Sequence, residues 1–257
     1  MSVVQPKISV ITPTRNRREL LPRLINCFKT QSWPNKELLI LDDTYEETNL
    51  FTLPDDEEIT FIKTQLTSSI GRKRNELIAR STGDFIAHFD DDDFYSPNYL
   101  TTMANTLISS KHDLIKLAGW FCLHENTDTL GFWDTTRKDL PHIMFSGKNT
   151  IAMISSKFTD KSYRSYLTGY GFSYFYRKSI WENQSFPDIN LGEDTVFIEN
   201  ILNKGYQAMF MQDSSCICIH IIHKINTSAC FPNYLIPTGL ANKLLKEYKD
   251  MNTMLDS

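Results

Sequence analysis

The chain has 257 residues, 41% hydrophobic and 23% charged, which is enough apolar material for one substantial core. A net charge of −4 excludes a general electrostatic pull toward nucleic acid or an anionic membrane, so no nucleic-acid partner is expected. Five scattered cysteines, an odd number, exclude a simple disulfide framework.

Met1 to Arg17 contains no apolar stretch long enough for a signal peptide or a membrane span. A cytoplasmic location is expected, with any membrane association peripheral at the inner face. Lys7 to Thr12 is a β-branched apolar run stopped by Pro13, which predicts a buried strand. Leu20, Leu21, Leu24, Ile25 and Phe28 then recur at helical spacing, and Pro34 closes that region. Lys36 to Asp43 is a second apolar run ending in acids, and Ile59 to Thr64 a third. Arg72 to Gly83 predicts a helix closed by the glycine, and Asp84 to Phe89 a fourth strand running into four consecutive aspartates.

Asn98 to Ser110 predicts a helix, after which residues 113 to 180 read as short strands mixed with aromatic-rich loops. Gly192 to Gly205 predicts a helix with Val196, Phe197, Ile201 and Leu202 as its stripe. Tyr206 to Met211 and Cys216 to His223 predict strands, in which Cys216 and Cys218 would share a face as small core residues. The tail from Thr238 to Met251 predicts one amphipathic helix with Leu240, Leu244, Leu245, Tyr248 and Met251 inward. Its Lys243, Lys246 and Lys249 form a solvated face in the plainest reading, and an anionic-membrane contact in the alternative.

Strand and helix in alternation predict an α/β fold with a mostly parallel sheet covered on both faces. Ligands gather at the carboxyl ends of such strands, where both acidic groups, Asp42–Asp43 and Asp90–Asp93, fall. In an extended strand end Asp90 and Asp92 point the same way, and Asp91 and Asp93 elsewhere. A carboxylate pair on a rigid rim suits Mg²⁺ or Mn²⁺ with substrate phosphates. A solvated acidic turn is the plain alternative, and the buried strand in front of the aspartates counts against it.

In this order, the segments SVITPTRNR, LLILDD, GRKRNELIARSTGDFIAHFDDDDFYSP and FPDINLGEDTVFIENILNKGY resemble family 2 inverting glycosyltransferases of the GT-A fold. The resemblance implies a Rossmann-like, mostly parallel central sheet in a single domain over residues 1–257. Residues 1–100 would form its nucleotide-sugar-binding half, 101–236 its acceptor half, and 237–257 a C-terminal helix and tail. It places Pro13 and Thr14 at the nucleotide rim, Asp43 on the base (typically uracil), and Arg74 near the nucleotide. Asp90 and Asp92 match the family's Asp-x-Asp element at ribose and metal, with Asp91 among the donor-contacting residues. Asp194 matches the catalytic base, with Glu193 beside it. His223 matches a returning segment and is the third candidate metal ligand. Arg15 stands where an aromatic is common, and Thr44 where a glycine is common.

The implied partners are a nucleoside-diphosphate sugar, UDP-linked, and a glycan or lipid-linked acceptor; the implied cofactor is Mn²⁺ or Mg²⁺. His220 is expected to be structural, facing away from His223. His88 either sits beside the nucleotide or is simply buried. One or two aromatics between Tyr163 and Trp181 are expected to stack on the acceptor. Two rival readings remain. A sugar nucleotidyltransferase would want a glycine-rich phosphate loop that TPTRNRREL lacks. A non-catalytic nucleotide- or carbohydrate-binding module sits poorly with intact Asp90, Asp92 and Asp194.

Overall fold

The computed structural model describes residues 5–45, 56–147, 150–154, 159–226 and 228–255. The first half alternates strand and helix: β1 (Ile8–Thr14), α1 (Leu21–Lys29), β2 (Lys36–Asp42), β3 (Ile59–Lys63), α2 (Ile70–Arg80), β4 (Phe85–His88) and β5 (Phe94–Tyr95). Next come α3 (Tyr99–Ser109), β6 (Leu114–His124), β7 (Thr129–Asp134), β8 (His142–Ser146), β9 (Thr150–Ile154) and α4 (Asp160–Thr168). The chain ends in β10 (Phe175–Arg177), α5 (Lys178–Asn183), α6 (Glu193–Asn203), β11 (Ala208–Gln212), β12 (Cys218–Ile222), β13 (Tyr234–Leu235), α7 (Thr238–Leu244) and α8 (Lys246–Leu255).

The main sheet runs β13-β7-β6-β10-β4-β1-β2-β3, with β11 and β12 also on β6. β1 lies parallel to both β2 and β4, β2 to β3, and β6 to β11 and β12. β10 is antiparallel between β4 and β6, and joins the two halves of the sheet. Both faces are covered, which is why the central strands read as unbroken apolar runs. Ile8, Val10, Leu38 and Ile40 pack on one face with Leu24 and Phe28 of α1. Ile11, Leu39 and Leu41 pack on the other with Leu77 of α2 and Phe197 of α6. Among the described residues no helix is long and apolar enough to cross a membrane.

Several local expectations change. α2 starts at an N-cap, Ser69, whose hydroxyl accepts from Arg72 N at 3.1 Å, and it stops at Arg80 rather than at Gly83. Gly83 is needed instead for close approach to β1: a Cβ there would lie 2.5 Å from Ser9 Oγ. β6, at 11 residues, is far longer than the short strands expected, because complete burial hides its alternation. In α6 the buried stripe is Phe197, Ile198 and Ile201, whereas Val196 is exposed. Cys216 stands outside β12 at φ 55°, so it shares no strand face with Cys218; all five cysteines are free and buried. The tail is two helices broken at Leu245, with Ala241, Leu245, Tyr248 and Met251 buried and Leu240 exposed.

Candidate active site

The site begins where β1 and β4 end side by side. Phe89 N donates to Ile11 O at 3.2 Å, and Thr12 Oγ1 to Phe89 O at 2.8 Å. β4 stops at His88, and the aspartates form a turn in which Asp93 N approaches Asp90 O at 3.5 Å. This corrects the extended strand end expected from sequence. A turn breaks the two-residue alternation of a strand, so neighbouring aspartates can share a partner or converge on one point.

Asp91 accepts from Thr14 Oγ1 at 2.5 Å and from Arg17 Nη1 at 3.1 Å. Asp92 Oδ2 accepts from Arg17 Nη1 at 2.8 Å and Asn226 Nδ2 at 3.4 Å, and lies 3.1 Å from His223 Nε2. Asp93 is fully buried, with His220 Nδ1 2.9 Å from both its oxygens and Ile221 N donating at 3.0 Å. His220 is therefore no bystander. Both histidines reach the acidic turn, because β12 ends at Ile222 and His223 lies beyond it. Thr227, within the segment that suggested His223, lies outside the described residues.

Asp93 also turns inward rather than away, so Asp90, Asp92 and Asp93 bring one oxygen each within 4.8 Å of one another. Burial and the neighbouring carboxylates raise the Asp90 pKa, with Arg74 opposing them. Burial works against Asp92 ionisation too, but the His223 hydrogen bond and the Arg17 charge outweigh it and lower its pKa. An all-oxygen donor set fits a hard divalent cation such as Mg²⁺ or Mn²⁺. His223 touches this set through Asp92.

Facing the turn is the start of α6, with Gly192 at φ 80°. Arg74 Nη1 donates to Glu193 Oε1 at 2.5 Å and its Nη2 lies 3.9 Å from Asp90 Oδ1, so one guanidinium spans the two acidic groups. Glu193 is 5% exposed and is the counter-ion of Arg74. Asp194 Oδ2 accepts from Gly171 N at 2.9 Å and its Oδ1 from Thr195 N at 2.6 Å. His88 is buried behind this group: its Nδ1–H donates to Gly171 O at 3.0 Å and its Nε2 accepts from Tyr176 OH at 3.1 Å. Burial, then Arg74, holds its pKa well below the usual range, so the ring is neutral.

A cleft of about 690 Å³ joins these parts. Pro13, Thr14, Lys73, Arg74 and Asp90–Asp92 line it together with Tyr166, Tyr170, Phe172 and Asp194. Asp43 is wholly buried beneath the cleft, its oxygens accepting from Lys73 Nζ at 2.8 Å and Ser68 N at 2.9 Å. Sequence reasoning missed Arg17, Lys73, Asn226 and Gly171. The basic run RNRREL facing a run of aspartates carries a signal for Arg17; nothing local marks Gly171.

A mostly parallel, helix-flanked sheet with an acidic turn at its carboxyl edge and a second acid lining the same cleft defines a GT-A-type protein. The chain belongs to glycosyl transferase family 2, matching that family over residues 9–168. The GalNAc(5)-diNAcBac-PP-undecaprenol beta-1,3-glucosyltransferase of Campylobacter jejuni is 26% identical over 227 residues, 81% of this chain and 67% of that one. WfgD of Escherichia coli, a UDP-Glc:alpha-D-GlcNAc-diphosphoundecaprenol beta-1,3-glucosyltransferase, is 24% identical over 48% of this chain and 49% of its own. WcaA of Escherichia coli (strain K12), named for colanic acid biosynthesis, is 35% identical over 100 residues, and the chain spans only 36% of its length.

Among solved structures, residues 1–349 of Staphylococcus aureus TarS with UDP-GlcNAc superpose with a TM-score of 0.60 at 18% identity, covering 86% of this chain and 60% of that one. The Pyrobaculum calidifontis mannosyltransferase PcManGT, in complex with GDP-Man and Mn²⁺, gives 0.56 at 14% identity, covering 84% and 57%. At such identities these two establish the fold.

Proposed function

We propose that this chain is a metal-assisted inverting glycosyltransferase that moves a hexose from a UDP-sugar to a hydroxyl of a glycan or lipid-linked acceptor. The observation that carries the reading is that Asp90, Asp91, Asp92 and Asp194 line one cleft, with Arg74 bridging Asp90 and Glu193. Complexes and names of relatives favour UDP and a diphosphoundecaprenol-linked acceptor. Such an acceptor would bring the chain peripherally to the inner face of the membrane in polysaccharide synthesis. Residues 1–100 then supply the donor half, 101–236 the acceptor half, and 237–257 the closing helix and tail, all in one domain.

Asp90, Asp92 and Asp93 would hold Mg²⁺ or Mn²⁺, which supplies charge neutralisation at the diphosphate. Arg74, braced by Glu193, points its guanidinium to the same place, and a guanidinium pairs well with phosphate oxygens. Asp194 removes the proton of the acceptor hydroxyl as its oxygen attacks the anomeric carbon. The new C–O bond forms opposite the one that breaks, whose electron pair leaves with the diphosphate, so configuration inverts. Tyr166 or Tyr170 provides an aromatic face for the acceptor ring.

A screen of nucleotide sugars with Mn²⁺ or Mg²⁺, read by thermal shift and by slow donor hydrolysis, tests the reading. The correct nucleotide raises the melting temperature. A chain that no nucleoside diphosphate stabilises sinks the proposal, and pyrophosphate release from a nucleoside triphosphate would install the nucleotidyltransferase reading instead.

A further inference from the structure

Arg17 pairs with two of the four aspartates. Its Nη1 sits 2.8 Å from Asp92 Oδ2 and 3.1 Å from Asp91 Oδ1, while Nη2 donates to Ile225 O at 3.1 Å. The guanidinium thus lies on an oxygen of the same carboxylate that completes the Asp90, Asp92, Asp93 set. It also ties the end of β1 to the loop after β12, which carries His223 and Asn226 onto the same Asp92 oxygen.

The backbone aims the side chain there. Asn16 adopts φ 54°, and its N–H donates to Thr44 Oγ1 at 2.7 Å. That left-handed residue turns the chain sharply after β1, so the next side chain points back over the acidic turn. Arg17 is 22% exposed at its side chain and lines the cleft, so it has room to leave Asp92 without unfolding anything.

A guanidinium on Asp92 Oδ2 and a divalent cation on the same carboxylate would stand close enough to repel each other. An arginine released into the cleft would meet the diphosphate, whose oxygens suit its fork of donors. We propose that Arg17 is an internal stand-in for the cation: it holds Asp92 until the metal binds, and then pairs with the donor diphosphate. This rests on the metal-assisted reading above, and it adds a residue that trades partners between the two ligands.

The experiment is calorimetric titration of Mn²⁺ alone into the full chain, wild type against Arg17→Gln and Arg17→Lys, followed by UDP at saturating Mn²⁺. Removing a unit positive charge from beside the site should tighten Mn²⁺ binding in Arg17→Gln by at least about tenfold. Loss of a charge-assisted phosphate pair should weaken UDP by about tenfold or more in the same variant. Arg17→Lys, which keeps the charge but cannot span both carboxylates and Ile225, should fall between the two in Mn²⁺ affinity, and it serves alone if the Gln variant does not fold. Mn²⁺ binding that is unchanged or weaker in the variants overturns the stand-in role, while leaving the metal-assisted reading intact. Failure of Mn²⁺ to bind any of the three proteins overturns both.

Discussion

The backbone N–H of Gly171 donates to Asp194 Oδ2 at 2.9 Å, and the absence of a side chain at Gly171 is what lets the two come together. A Cβ there would lie 3.0 Å from Asp194 Cβ and 3.3 Å from Arg74 Nη1. Gly171→Ala should therefore push Asp194 and Arg74 aside together. Contacts this tight are relieved by a shift of a few tenths of an ångström, less than the roughly 1 Å that costs about 10²-fold, so transfer should fall by less than about 10²-fold. Transfer assays paired with circular dichroism would check this, and undiminished transfer in a folded variant would show that Gly171 does not set the position of Asp194.

Glu193 and Asp194 are neighbours with separable roles. Asp194→Asn keeps the size and removes the basic oxygen, so transfer should fall about 10²–10⁴-fold with donor affinity nearly unchanged. Glu193→Gln instead removes the nearer carboxylate partner of the buried Arg74, leaving Asp90 at 3.9 Å, so the cost should stay below the roughly 3 kcal/mol of a fully broken buried pair. Its signature is a lowered urea midpoint together with weaker donor binding. Equal loss of transfer in both variants, at wild-type stability, would put Glu193 among the reacting groups.

The metal reading of the acidic turn is tested by removal. Chelation with EDTA, or Asp92→Asn, should weaken UDP strongly, because on that reading the Asp90, Asp92, Asp93 group loses the cation that would neutralise the diphosphate. His223→Ala should cost less, since His223 meets the group only through Asp92 Oδ2 at 3.1 Å. UDP affinity unmoved by EDTA in calorimetry ends the metal reading.

What was legible in the sequence follows from local physics. β1, β2 and β4 are short, largely buried apolar runs punctuated by proline, glycine or acids, and β3 is a half-buried apolar run, so their order and the acidic ends of β2 and β4 could be read directly. The partners of the aspartates could not. Asp93 and His220 are 127 positions apart, and their contact depends on β12 lying beside β5 and β6. The sense of the turn after His88 is likewise set by tertiary contacts, among them Tyr95 OH accepting from Asp90 N at 2.9 Å. An extended ending therefore looked equally natural. β6 escaped for the opposite reason, since burial on both faces erases the alternation by which a strand announces itself.

Lys116, on β6, is wholly buried: its Nζ donates to Leu117 O at 2.8 Å and stands 5.0 Å over the Trp120 ring. Burial pushes its pKa down to about 7, with the negative charge of Asp194 acting in the other direction. Unfolded, the same lysine titrates near about 10.4. Between these values the unfolded chain holds a proton that the folded chain has released, so stability rises with pH across that window. Below the folded value both states are protonated, and the native state bears the full penalty of a buried charge. The slope from this one group approaches roughly 1.4 kcal/mol per pH unit within the window. Lys116→Met keeps the length and removes the charge, so it should stabilise the protein most at and below neutrality and lose that advantage as pH climbs. Urea midpoints of both proteins, measured from about pH 7 to about pH 9.5, give the comparison, and contributions from other groups cancel in the difference. Parallel curves would mean that Lys116 keeps its ordinary proton affinity inside the fold.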